Sequence, residues 1–157
     1  MRPLFLAMLA AVMAIMTASA SGQSAGAPIA NAGKTVLVTG STDGLGRELA
    51  RALAAQGAHV IIHGRNAERG QALVEEIARS GKGSASFHAA DFASLAAVRG
   101  FAETIARTYP KIDLLVNNAG VAIPGNQPRR TSADGHALQF AVNYLPGWVL
   151  GIRLRGN

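Results

Sequence analysis

The stretch Thr35-Val36-Leu37-Val38-Thr39-Gly40-Ser41-Thr42-Asp43-Gly44-Leu45-Gly46 decides how this chain folds. Residues 35–39 are a β-branched, apolar run too short for a helix, and it ends in glycines, as a buried parallel strand does. The period then changes. Leu45, Leu49 and Leu53 recur every four residues with Arg47, Glu48 and Arg51 between them, which places the leucines on one face of a helix that closes near Gly57. The turn between strand and helix suits a phosphate group. A Cβ there would block positive φ and hold a diphosphate off the backbone, while the free N–H groups and positive end of the helix face the anion. The candidate binding residues of this turn are Gly40, Ser41, Thr42, Asp43, Gly44, Leu45 and Gly46. A tight turn with no ligand is the alternative reading of such glycines; their position between a first strand and an amphipathic helix favours the ligand. Asp43 is an acid in this turn and disfavours an anion unless its side chain caps the helix.

Downstream, strand and helix alternate. His59-Val60-Ile61-Ile62-His63 is a second strand; Leu73, Val74 and Ile77 mark a helix ended by Gly81; residues 85–89 are a weaker third strand. Leu95, Val98, Ala102 and Ile105 give a third helical stripe, and Leu114-Leu115-Val116 a fourth strand, closed by Asn117-Asn118-Ala119-Gly120. This alternation with short connections predicts an α/β chain: a Rossmann-type, doubly wound parallel sheet with right-handed crossovers and helices on both faces. Thr131-x-x-Asp134 is similar to a capping box for the next helix, and Asp91 is a second capping candidate, for the third helix. Trp148 and Phe140 are expected in the core, and His59, His63, His88 and His136 at turns or the surface, with no spacing that suggests a metal site.

Composition narrows the function. The 157 residues, 49% hydrophobic and 15% charged, suit one packed domain, and the absence of Cys excludes a disulfide framework and a cysteine nucleophile. The net charge of +6 is dispersed, with Arg129-Arg130 the only adjacent basic pair, which argues against a nucleic-acid partner. At the N-terminus, Arg2, the thirteen apolar residues 4–16 and the small residues Ala18 and Ala20 read as a targeting segment, 1–20, removed after Ala20, followed by a linker, 21–33. Thirteen residues rise roughly 20 Å as a helix, short of the ~30 Å hydrocarbon core, so no stable membrane span is expected. Export, to the periplasm or medium, follows if the segment is real; a start codon placed too far upstream is the alternative, with a cytoplasmic protein.

The spacing T-G-x-x-x-G-x-G over residues 39–46 resembles the short-chain dehydrogenase/reductase family, whose members transfer hydride between a nicotinamide cofactor and an alcohol or carbonyl. Three segments in the family's order agree. Asp91-Phe92 resembles the acidic position that contacts adenine, Asn117-Asn118-Ala119-Gly120 the family's N-N-A-G turn, and Asn143 the asparagine of its catalytic tetrad. The match covers 34–145, and 131–145 is most similar to the retinol-dehydrogenase-like branch. The resemblance implies cofactor contacts from Asp91, Phe92, Asn118, Ala119 and Gly120, a catalytic role for Asn143, and a small alcohol or carbonyl as substrate.

Charge selects the cofactor. Strand two ends His63-Gly64-Arg65-Asn66, with no carboxylate for a ribose 2′-hydroxyl, and Arg65 offers a planar fork for a phosphate, so NADP is expected in preference to NAD, with Arg65 and Asn66 at the site. An ordinary solvated arginine is the alternative. The family's reaction also implies a tyrosine with a lysine four residues later, and a serine. Neither tyrosine qualifies: Tyr109 is followed at that spacing by Asp113, and Tyr144 by Trp148. An unassisted phenol has a pKa near 10, and a positioned proton-transfer group is typically worth about 10²- to 10⁴-fold, so these 157 residues are expected to be inactive alone. Residues 146–157 are read as an aberrant tail, because Pro146 falls where the helix of Asn143 should continue, at a cost of roughly 3 kcal/mol. A frameshift or premature stop explains that tail; a genuine short protein is the alternative. A non-catalytic nucleotide-binding or partner-pairing module is the second functional reading, with self-association through the fourth strand, which lacks a neighbour on one side.

Overall fold

The computed structural model describes residues 31–155; the expected targeting segment and most of the linker lie outside them. Four strands, β1 (Thr35–Val38), β2 (His59–Gly64), β3 (Ser84–Ala89) and β4 (Leu114–Val116), form one parallel sheet in the order β3-β2-β1-β4. Between them run α1 (Gly44–Ala55), α2 (Ala67–Ser80) and α3 (Leu95–Thr108), and after β4 come α4 (Leu138–Asn143) and α5 (Leu145–Arg153). This is the expected Rossmann-type sheet.

Alternation along β1 builds a core on both faces. Val36 and Val38 join Ala50, Leu53, Leu73 and Ile77 of α1 and α2 on one side. Leu37, one residue out of phase, joins Val98, Phe101 and Ile105 of α3 on the other, with Val142 of α4 and Leu150 of α5. The helices therefore change face between β1 and β4, which is where an open parallel sheet leaves a crevice at its carboxyl ends.

Each long helix starts on a polar side chain. The Asp43 carboxylate accepts from the Gly44 N–H (2.8 Å), Asn66 Oδ1 from the Arg69 N–H (2.9 Å) and Ser94 Oγ from the Ala97 N–H (3.3 Å). The third cap corrects the expectation for Asp91, which instead accepts from Ala93 N–H in the preceding turn. Asp134 does cap a helix, though α3 rather than its own: its Oδ2 accepts from the Leu95 N–H at 2.8 Å. Thr131 meets Ala137 in an antiparallel bridge instead of opening a capping box.

Three further expectations are corrected. Pro146 breaks no helix, because the chain bends at Tyr144 and the proline lies in the first turn of α5, where its absent N–H would have had no partner. Residues 145–153 are thus helical, and α5 buries Leu150 fully. Phe140 and Trp148 are about half exposed rather than in the core, since the face of α4 and α5 opposite Val142 and Leu150 points to solvent. Leu45 leaves the leucine stripe of α1 and is 79% exposed at the mouth of the crevice.

Candidate functional site

The crevice at the carboxyl ends of β1 and β4 is a cleft of about 570 Å³. Its walls bring together most of the expected residues: Gly40, Thr42, Asp43, Gly44, Leu45 and Gly46 from the first turn, Arg65 after β2, Asp91 and Phe92 after β3, and Asn118, Ala119 and Gly120 after β4. Val121, Leu138 and Val142 close the side towards α4.

Glycine is required at three positions of the turn. Gly40 has φ +64°, and a Cβ there would lie 2.7 Å from the Ala119 Cα. At Gly46 a Cβ would come within 2.4 Å of both Asn118 Nδ2 and the Gly40 carbonyl oxygen, so α1 can sit this close to β4 only without a side chain. Gly44 needs glycine for its φ of +53° alone, since a Cβ there would meet nothing within 4 Å. The backbone at the start of α1 is therefore open on the cleft side, and the first-turn N–H groups of a helix have no helical acceptor. These features fit the diphosphate of a dinucleotide.

The turn after β4 is stitched to the turn after β1. Asn118 Nδ2 donates to the carbonyls of Thr39 and Gly40, both at 2.9 Å. Thr39 Oγ1 accepts from the N–H groups of Asn118 and Ala119, both at 3.0 Å, and donates to the Val116 carbonyl at 3.2 Å. Asn118 is thus a brace between two loops, holding the floor of the cleft.

Three expected residues fall outside the cleft lining, each for a visible reason. Ser41 is fully buried: its Oγ donates to the Val38 carbonyl (2.7 Å) and accepts from the His63 N–H (3.1 Å). Asn66 spends its carbonyl capping α2. The Asn143 amide pairs with one backbone residue, Oδ1 accepting from the Val121 N–H (2.8 Å) and Nδ2 donating to the Val121 carbonyl (3.0 Å). Phe92 lines the cleft but is only 3% exposed, so its ring is part of the floor and not a free stacking platform.

Arg65 is exposed and, among the described residues, makes no ion pair. Asp43 does not stand alone in the turn: Arg69, from the first turn of α2, reaches its Oδ2 at 2.5 Å. Arg47 points away, to Glu76 of α2 at 2.7 Å.

His63 was not anticipated as a site residue. Expected at a turn or the surface, it is 3% exposed and lines the cleft floor, stacked on Phe92 with ring centroids 3.9 Å apart. Burial pushes its pKa down to about 4, with the Ala90 hydrogen bond and the Asp91 charge acting in the opposite direction. The signal was in the strand: residues 59, 61 and 63 share one face, and Ile61 is core.

The comparisons with known proteins agree with this geometry. The family model described as short chain dehydrogenase matches residues 34–151. The chain belongs to the short chain dehydrogenase family. Polyprenol dehydrogenase of Mus musculus is 42% identical to this chain over 123 residues, covering 78% of the chain and 36% of the relative. Retinol dehydrogenase 13 of Homo sapiens is 37% identical over 123 residues, covering 75% of the chain and 35% of the relative. A metagenomic short-chain oxidoreductase crystallised with NADP superposes with a TM-score of 0.69 at 31% identity, over 79% of this chain and 56% of that one. The chain therefore spans little more than a third of the length of those two curated relatives, matching the retinol-dehydrogenase-like branch of the family.

Proposed function

We propose that this chain is the NADP(H)-binding half of a short-chain oxidoreductase that acts on an alcohol or carbonyl substrate, and that the 157 residues alone hold the cofactor without turning it over. The observation that carries the reading is the pairing of an open glycine turn at the start of α1 with the unpaired Arg65 across the same cleft. In this reading the first-turn N–H groups of α1 bind the diphosphate, Arg65 takes the 2′-phosphate through its guanidinium fork, and the exposed Asp91 carboxylate accepts from the adenine amino group. Asn118 holds the turn in place. When bound, the cofactor would supply or accept the hydride. Asn143 has both ends of its amide engaged by Val121 and acts here as a fastener for the wall of the cleft; the tyrosine and lysine that would move the proton are not among these residues. That leaves the non-catalytic nucleotide-binding reading as a description of the isolated chain.

The test is calorimetric titration of the purified chain with NADPH and with NADH. NADPH is expected to bind more tightly, and Arg65→Ala to remove the preference by weakening NADPH roughly tenfold or more, the worth of a hydrogen bond to a charged group. Lack of saturable binding, or a preference untouched by Arg65→Ala, would overturn the proposal. Export belongs to the same proposal: cell fractionation is expected to find the chain outside the cytoplasm, shortened at about residue 20. The outer edge of β4 is proposed as a self-pairing edge.

A further inference from the structure

The His63 ring spans the cleft floor from one binding loop to another. Its Nδ1 accepts from the N–H of Gly40, the first residue of the diphosphate turn, at 3.1 Å. Its Nε2 lies 3.2 Å from the carbonyl oxygen of Ala90, the residue before Asp91. A carbonyl can only accept, and a backbone N–H can only donate, so the two contacts together fix one neutral tautomer with its hydrogen on Nε2. The ring is also held in its plane, stacked at 18° on Phe92 and tilted at 60° against Phe101 of α3. Backbone bonds continue the same seam: Ser41 N–H donates to the His63 carbonyl at 2.8 Å, and Ala90 N–H to the Gly64 carbonyl at 3.3 Å.

We propose that His63 is a positioning residue for the cofactor: its ring ties the Gly40 end of the diphosphate turn to the Ala90 end of the adenine loop, and so sets their separation before a dinucleotide enters. Resting on the cofactor reading above, this adds a residue that touches neither the diphosphate nor the 2′-phosphate. The physical gain is preorganisation, since loops already held apart at the right distance lose less freedom on binding. Without the ring, the half-buried Gly40 N–H loses its acceptor, and the turn shifts to find another.

Two variants of the full chain separate the clamp from mere filling. His63→Phe keeps a flat ring between Phe92 and Phe101 and loses both hydrogen bonds. His63→Asn loses the ring but keeps an acceptor, its Oδ1, near the place of Nδ1. The phenylalanine variant is expected to bind NADPH about tenfold more weakly and to exchange the Gly40 amide hydrogen faster, while the asparagine variant recovers affinity to within about threefold of the unchanged chain. If the phenylalanine variant does not fold, His63→Gln replaces it, keeping a donor for Ala90 and surrendering Gly40; it should bind more weakly than His63→Asn. Equal NADPH affinity in the unchanged and His63→Phe chains, or no advantage of asparagine over phenylalanine or glutamine, overturns the inference and leaves cofactor binding standing. An unchanged chain that binds no NADPH overturns both.

Discussion

His63 titrates against the fold, and the sign is fixed by where its proton cannot go. Folded, the ring is neutral down to about pH 4; unfolded, it protonates below its ordinary value of 6.5. Above pH 6.5 neither state is charged and His63 adds no pH dependence. Between 6.5 and about 4 the unfolded chain binds the proton and the folded chain does not, so stability falls as pH falls, by an amount approaching about 3 kcal/mol. Urea unfolding of the unchanged and His63→Phe chains at pH 7, 5.5 and 4 should show the gap between them shifting in favour of phenylalanine at low pH; parallel curves would mean that the ring is accessible to protons. Asp43 sets a second expectation at this scale. Asp43→Asn keeps the helix cap, removes a negative charge from the cleft and frees Arg69 from its 2.5 Å pair. NADPH binding should tighten roughly threefold to tenfold and NADH binding by less, because the diphosphate of both loses a repelling charge while only the 2′-phosphate of NADPH gains the freed Arg69; equal changes for the two nucleotides would mean that Arg69 does not reach the 2′-phosphate.

At the scale of elements, α1 packs tightly against the turns that follow β1 and β4. Gly46→Ala puts a methyl group 2.4 Å from the Asn118 amide and the Gly40 carbonyl, and the backbone on one side must move. Thermal unfolding should register a loss of about 1–3 kcal/mol, with nucleotide binding lost alongside it. In α5, Leu150→Ala should cost about 2–5 kcal/mol, since the side chain is fully buried between α3 and α4. Pro146→Ala should change the same melting curve little, because a proline in a first turn interrupts no bond. These elements also show what a single sequence can disclose. The four strands and three long helices were legible because their apolar periods are distinct, with glycine punctuation coinciding at the ends of β1, α1 and α2. Residues whose roles depend on partners far along the chain were not. Asp134 caps a helix 39 residues earlier, and Ser41 and His63 meet across 22 residues, separations no local pattern encodes. The tail misled for a related reason: Pro146 reads as a breaker only if α4 continues, and the bend at Tyr144 turns it into a starter.

On the whole-molecule scale, the sheet has one flank that invites a neighbour. Among the described residues β4 pairs only with β1, and Leu114 is 45% exposed. An apolar strand with unpaired N–H and C=O groups is a template for another strand. Sedimentation of the full chain is therefore expected to show dimers or larger species, and Leu114→Lys to shift it towards monomer; a monomeric unchanged chain would reject edge pairing.

Every strand in this sheet carries its carboxyl end, and hence the cleft, at the same side. Two chains joined along β4 by a twofold axis perpendicular to the sheet would run those central strands head to foot. Their coenzyme mouths would then open in opposite directions, like pockets sewn at either end of one sleeve.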